Sequence, residues 1–236
     1  MMRRLLYMIL LFALVVPTAG AQKRKVQNKP YMDMRRFHYG FFVGGHDQAV
    51  KFRNNGYIDP TTGEQWVVNC DQQNIGFNVG VLGEWRLNKT FALRLQPSLY
   101  FGSKHLRFKN LTDGGRETQD MKSCYVGTPL DVKIAAPRFN NYRPYFVMGP
   151  SFYYDLTAIK HSNLRTKPVN IFLEVGAGVD LYMPFFKFIP ELKFCLGLNN
   201  VLKKNRPDLT DATKQVFSQS VDKATVGMVV LTFYFE

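Results

Sequence analysis

Between residues 75 and 87 apolar positions alternate with polar or small ones more clearly than anywhere else in the chain. Ile75, Phe77, Val79, Val81, Trp85 and Leu87 occupy odd positions, while Gly76, Asn78, Gly80, Glu84 and Arg86 occupy even ones. Successive side chains of an extended strand point to opposite faces, so this period of two predicts a strand with one greasy face and one polar or small face. The same alternation recurs seven more times, around Phe37–Val43, Phe91–Phe101, Val126–Ile134, Tyr145–Tyr154, Ile171–Leu181, Leu192–Leu198 and residues 223–235. The Tyr145–Tyr154 segment reads less cleanly because it is aromatic on both faces. Most of the eight predicted strands reach ten residues or more, against about five or six in soluble sheets. No 3.6-residue periodicity competes, and no run after residue 21 approaches the roughly 20 apolar residues of a spanning helix.

The connections sort by length. Short links join predicted strands two and three (88–90), four and five (137–142) and six and seven (183–187). Longer ones separate one and two (53–73), three and four (110–118), five and six (156–168) and seven and eight (201–221). Outer-membrane barrels have even strand numbers, short periplasmic turns and long outward loops. The chain is therefore predicted to be all-β, an eight-stranded antiparallel transmembrane barrel over residues 37–236, in the cell outer membrane with both termini periplasmic.

Charge decides which face looks inward. Glu84, Arg94, Asp131, Lys133, Glu174, Asp180, Glu191 and Lys193 all fall opposite the apolar stripe. In a membrane barrel the apolar stripe meets lipid and these groups meet one another inside; in a soluble ligand-binding barrel the polarity is reversed. A three-residue turn at Asn88–Thr90 sets Glu84 directly across from Arg94, which predicts interior ion pairs. Eight strands enclose room for side chains only, so the barrel should be plugged. Trp85, Phe91, Tyr142, Tyr145 and Tyr182 lie near strand ends and are expected as interface girdles.

Ahead of the barrel stand two further segments. Residues 1–21 carry Arg3 and Arg4, an apolar run from Leu5 to Val16 and the small-residue exit Ala19-Gly20-Ala21, the layout of a secretory signal peptide cut before Gln22. Residues 22–36 form a basic arm, with Lys23, Arg24, Lys25, Lys29, Arg35 and Arg36 against the single acid Asp33. It is expected to be mobile in the periplasm, either as a docking tail for a partner or as a spacer.

The net charge of +13 becomes +11 once Arg3 and Arg4 leave with an acid-free leader, and such an excess favours anionic neighbours. No aromatic-basic motif of the nucleic-acid modules is present, so outer-membrane lipid and glycolipid are the expected partners. Lys104, Arg107, Lys109 and Arg116, then Lys160, Arg165 and Lys167, then Lys203, Lys204 and Arg206 mark the outward loops and strand ends. They are candidates for contacts to glycolipid phosphates, or a generally solvated cationic crown.

Candidate chemistry is sparse. Cys70, Cys124 and Cys195 match no zinc or redox spacing; a Cys70–Cys124 disulfide and three isolated thiols both remain open. His46-Asp47 and Ser103 with His105 are the best pairings for a rim-active lipid-modifying enzyme, yet neither sits in a motif. Gly44-Gly45 and Gly176-x-Gly178 lack the helix and lysine of a phosphate loop and read as small residues on a crowded inner face. No cofactor or metal site is expected.

Three segments carry a family likeness. Arg36-Phe37-His38-Tyr39-Gly40-Phe41 after the basic arm, Tyr125-Val126-Gly127-Thr128-Pro129-Leu130-Asp131-Val132-Lys133, and Arg143-Pro144-Tyr145-Phe146-Val147-Met148-Gly149-Pro150 resemble PorT-type outer-membrane proteins of the Bacteroidetes. The likeness extends over nearly the whole mature chain. It implies a non-catalytic component of the type IX secretion system, which exports proteins bearing a C-terminal sorting domain and in gliding members serves motility. Other secretion proteins are the partners it implies, and it transfers no active-site residues.

Overall fold

The computed structural model describes residues 27–58, 63–72, 75–158, 166–202 and 220–236, without the side chains at 70–72, 105, 119 and 121. The signal-peptide segment, Lys23, Arg24, Lys25, Lys160, Arg165, Lys203, Lys204 and Arg206 lie outside the described residues.

Among the described residues, a short 3-10 turn at Met32–Met34 precedes ten strand segments. They are β1 (Phe37–Asn54), β2 (Trp66–Gln72), β3 (Ile75–Arg86), β4 (Phe91–Leu95), β5 (Ser98–Asn110), β6 (Arg116–Ala135), β7 (Tyr142–Asp155), β8 (Val169–Tyr182), β9 (Lys187–Gly197) and β10 (Val221–Phe235). Every pairing is antiparallel, and the ten segments make eight staves. β4 and β5 are one strand broken at Gln96-Pro97, where proline has no N–H to give to a ladder. β2 and β3 occupy successive lengths of one stave, both paired with β5. The ring closes because β1 pairs with β10 on one side and β3 on the other. Closure removes the unpaired edges that a sheet could not expose to lipid.

Two links are shorter than the sequence suggests. β1 runs on to Asn54 and Trp66–Gln72 is strand, so both ends of the 53–73 connection belong to the barrel wall. The 110–118 loop contracts to a turn between Asn110 and Arg116, with Lys109 directly opposite Arg116. What supports these extensions is an apolar interior: Val68, Leu106, Phe108 and Val221 are fully buried there. The side chain of Asn54 adds a stitch from β1 to β2, accepting from the Val68 N–H at 3.1 Å and donating to its carbonyl at 3.3 Å.

The alternation changes phase partway up the wall. Low on β4 and β5, Arg94, Gln96 and Ser98 face inward while Leu95, Leu99 and Phe101 face outward; higher up, Leu106 and Phe108 face inward while Lys109 is exposed. β1 repeats this, with Phe37, Tyr39, Phe41 and Val43 outward below, and Val50 inward with Lys51 and Arg53 outward above. The lower segment is polar inside and greasy outside; the upper one is an ordinary apolar core with a polar surface. An 18-residue strand such as β1, at about 3.3 Å per residue and a tilt near 40°, rises about 45 Å, whereas a lipid-facing band is about 25 Å tall. About 20 Å of wall stands clear of the bilayer on that reckoning.

Candidate functional site

The lower interior is an ion network tied across the barrel. Arg94 of β4 donates from Nε to Glu84 Oε2 of β3 at 2.7 Å and from Nη1 to Glu191 Oε2 of β9 at 2.7 Å, with its guanidinium 4.7 Å above the Tyr145 ring. Lys133 of β6 holds both oxygens of Asp180 of β8, at 2.8 and 2.9 Å, and reaches Glu84 at 3.3 Å. Lys193 of β9 bonds Asp131 Oδ2 at 2.6 Å, Gln96 Oε1 at 2.9 Å and Glu174 Oε2 at 3.2 Å. Strand register creates this convergence, because Glu84, Arg94 and Asp131 stand in one row across β3, β4 and β6. All eight charged residues singled out in the sequence are buried and meet within this network.

Several members of the network lie outside the eight charges singled out in the sequence. Lys187, at the start of β9 where a turn was expected, is fully buried and bonds Glu236 Oε2 at 2.8 Å, with Asp180 3.6 Å away. The hydroxyls of Tyr145 and Tyr234 approach Glu191 at 2.5 and 2.7 Å. Tyr145 and Tyr182, expected in an interface girdle, are therefore corrected to interior positions, each 2% exposed. Both have the inward parity of their strands, and their hydroxyls find acceptors there. Trp85, Phe91 and Tyr142 do face outward. The Gly176-x-Gly178 pair makes room for these groups: a Cβ at Gly176 would come within 2.8 Å of Lys193 Cγ, and one at Gly178 within 2.4 Å of the Tyr145 hydroxyl.

The base is closed by the arm. Residues 28–36 do not form the mobile tail expected from their composition; they fold across the barrel's lower mouth. Arg138 donates to the carbonyls of Asn28 and Lys29, Asn28 Nδ2 donates to the Tyr182 carbonyl at 3.0 Å, and the Arg86 N–H bonds the Arg36 carbonyl at 2.8 Å. His38 Nε2 meets the Arg35 carbonyl at 3.1 Å. Asp33 is the keystone. Its carboxylate receives the Tyr182 hydroxyl at 2.7 Å and stands 3.2, 3.3 and 3.5 Å from the guanidinium nitrogens of Arg86, Arg138 and Arg143. Burial alone would raise the pKa of this carboxyl, but the Tyr182 bond and the charges of Arg86 and Arg143, with the Arg138 bond, hold it below the ordinary aspartate value. The candidate docking side chains of Arg35 and Arg36 remain exposed beside this latch, while that of Lys29 is half-buried.

The family model described as "Outer membrane protein beta-barrel domain" matches residues 21–203. The chain belongs to this family. Among solved structures, OprG of Pseudomonas aeruginosa is similar at 12% identity and a TM-score of 0.45, over 84% of this chain and 92% of that one. Ail, the attachment invasion locus protein of Yersinia pestis, is similar at 14% identity and a TM-score of 0.36, over 84% of this chain and 96% of that one. No curated protein matches the sequence.

As an outer-membrane barrel, the protein turns Phe77, Val81, Phe146, Val175, Phe194 and Leu231 toward lipid. Its candidate sites above the membrane band are distributed unevenly. Lys104, expected among the glycolipid contacts, is corrected: it is 3% exposed and points inward, donating to the Tyr125 hydroxyl at 2.5 Å. Its even position on β5 shares the inward parity of Tyr100 and Leu106. Lys109, Arg116 and Lys167 are exposed, and Arg107 is half-buried.

The suggested catalytic pairs do not assemble. His46 is buried inside with neither ring nitrogen bonded, its ring 5.1 Å from that of Tyr100, while Asp47 next to it takes the opposite face. Ser103 is half-buried, and the His105 side chain lies outside the described residues. Among the described residues no cluster of His, Cys, Asp or Glu has metal-binding geometry. The Cys70–Cys124 disulfide is also corrected, since Cys124 is a free thiol. Residue 70 pairs with Leu106 and residue 124 with Phe101, five positions apart along β5. At about 3.3 Å per residue that offset is far beyond the roughly 7 Å reach of a disulfide.

Proposed function

We propose that this outer-membrane barrel is a non-enzymatic anchor and assembly component of the type IX secretion system, needed for export of sorting-domain cargo and, in gliding cells, for motility. Both termini and the short turns face the periplasm in this reading, and the tall polar wall faces out. The observation that carries it is the filled interior among the described residues: an ion network below, an apolar core above and a latched arm across the base. A barrel so filled acts through its surfaces. The three segments that resemble PorT-type proteins support the reading further, because they build these features. Arg143 holds Asp33, Asp131 and Lys133 belong to the network, and Arg36–Phe41 carries the arm into β1.

Deleting the gene tests the assignment. Sorting-domain cargo is expected to vanish from the medium and accumulate in the periplasm, with recovery on complementation by the full chain. Unimpaired secretion in the deletion strain would contradict it.

A further inference from the structure

Above the lipid-facing band, cations of the outer wall stand directly opposite other cations. Arg53 of β1 pairs in register with Lys223 of β10, and Lys109 of β5 with Arg116 of β6. Lys51, two residues below Arg53, and Lys122, opposite Ser103, extend the same two regions. All six side chains are exposed, and none joins an ion pair among the described residues. Of the acids on these strands, Asp120 and Asp222 already have partners, Asp47 sits four residues below Lys51, and Glu117 follows Arg116 on the opposite face.

Like charges directly across a strand pair repel, so each pair weakens the sheet unless an anion lies between its members. Their direction indicates where that anion is. Arg53, Lys223, Arg116 and Lys122 lie on the same outward face of their strands as the lipid-facing Val43, Val229 and Val126. They stand four to ten residues further up their strands than these valines, a rise of about 10 to 25 Å from them after allowing for strand tilt. The cations therefore look sideways into the layer of lipid headgroups, not upward into the medium.

We propose that this wall binds the phosphorylated saccharide headgroups of the outer-leaflet glycolipid, with Arg53–Lys223 and Lys109–Arg116 each bracketing a phosphate group. The inference rests on the outward orientation given above. It replaces the inward Lys104 of the sequence-based expectation with Arg53 and Lys223, and it places the contacts on the wall beside the lipid.

The test uses the full mature chain in vesicles of zwitterionic phospholipid alone, or supplemented with outer-membrane glycolipid that is either intact or enzymatically dephosphorylated. Thermal unfolding is compared with that of the quadruple variant R53Q/K109Q/R116Q/K223Q. Without glycolipid the variant should melt no lower than the wild type, because mutual repulsion has been removed. Intact glycolipid should raise the wild-type midpoint and bind the variant at least about tenfold more weakly, since charge-assisted contacts are lost. Equal stabilisation by intact and dephosphorylated glycolipid would overturn the proposal, as would undiminished stabilisation of the variant. Stabilisation by soluble heparin with none by glycolipid would also overturn it, in favour of an extracellular polyanion. Maleimide labelling of Thr225→Cys on intact cells, against the unsubstituted protein, tests orientation separately. Absence of labelling would reject the orientation whatever the vesicles show.

Discussion

Replacing Arg94 with Met is expected to destabilise the barrel by about 3–5 kcal/mol, because it removes the closest counter-charge of two buried carboxylates. Arg94 is fully buried and directly bonds Glu84 and Glu191. Its removal leaves Glu84 with Lys133 at 3.3 Å and Glu191 with Lys193 at 3.5 Å, neither as close as the lost contact. Removing charge on both sides should behave differently, since a neutral, well-packed replacement of a buried ion cluster is often tolerated. Arg94→Met combined with Glu84→Gln and Glu191→Gln should therefore recover much of the loss. Urea unfolding in lipid vesicles, followed by the fluorescence of Trp66 and Trp85, measures both. A single-mutant cost below about 1 kcal/mol would mean that water screens the cluster as it does at a surface, and the interior would not be sealed.

The second large effect concerns the arm. Asp33→Asn should release residues 28–36 from the base at neutral pH, because three guanidinium groups would then face one another with no anion between them. Acid should do the same to the wild type. Asp33 has a lowered pKa when docked, so its contribution is complete above the ordinary aspartate value near 3.9 and is lost as pH falls through the lower, docked value. Hydrogen exchange of residues 28–36 in the full chain reads this out. Protection at neutral pH in the wild type, and its loss in the variant and at acid pH, is the expected pattern. Equal protection in both proteins at neutral pH would show that backbone contacts alone hold the arm.

Much of the barrel was legible because its lower segment obeys one rule, apolar out and polar in. Glu84, Arg94, Asp131 and Lys193 could be placed inside from parity alone, and the turn at Asn88–Thr90 set the Glu84–Arg94 register. The same parity would have found Lys187, which shares the phase of Glu191 and Lys193 but was assigned to a turn. Lys104 misled because the rule inverts above the membrane band: near residue 104 the inward positions change from polar to apolar, and a cation close to that crossover reads as outward. The phase change itself, from outward Phe101 to outward Lys109, was the available signal. Tyr145 and Tyr182 were misplaced because an aromatic near a strand end suits both the lipid interface and a polar interior, and only the hydrogen-bond acceptor decides. The docked arm was hidden for another reason. Its basic composition suggests disorder, while its order depends on one acid meeting Arg86, Arg138 and Arg143, residues 53 to 110 positions away.

The proposed function is that of an anchor that acts through its two ends and not through its lumen. Electrical recording from the full chain in planar lipid bilayers tests that claim most directly. The account predicts a bilayer whose conductance is unchanged by insertion of the protein, at neutral pH and across applied voltages. Stable, repeated unitary current steps from the wild-type barrel would contradict it.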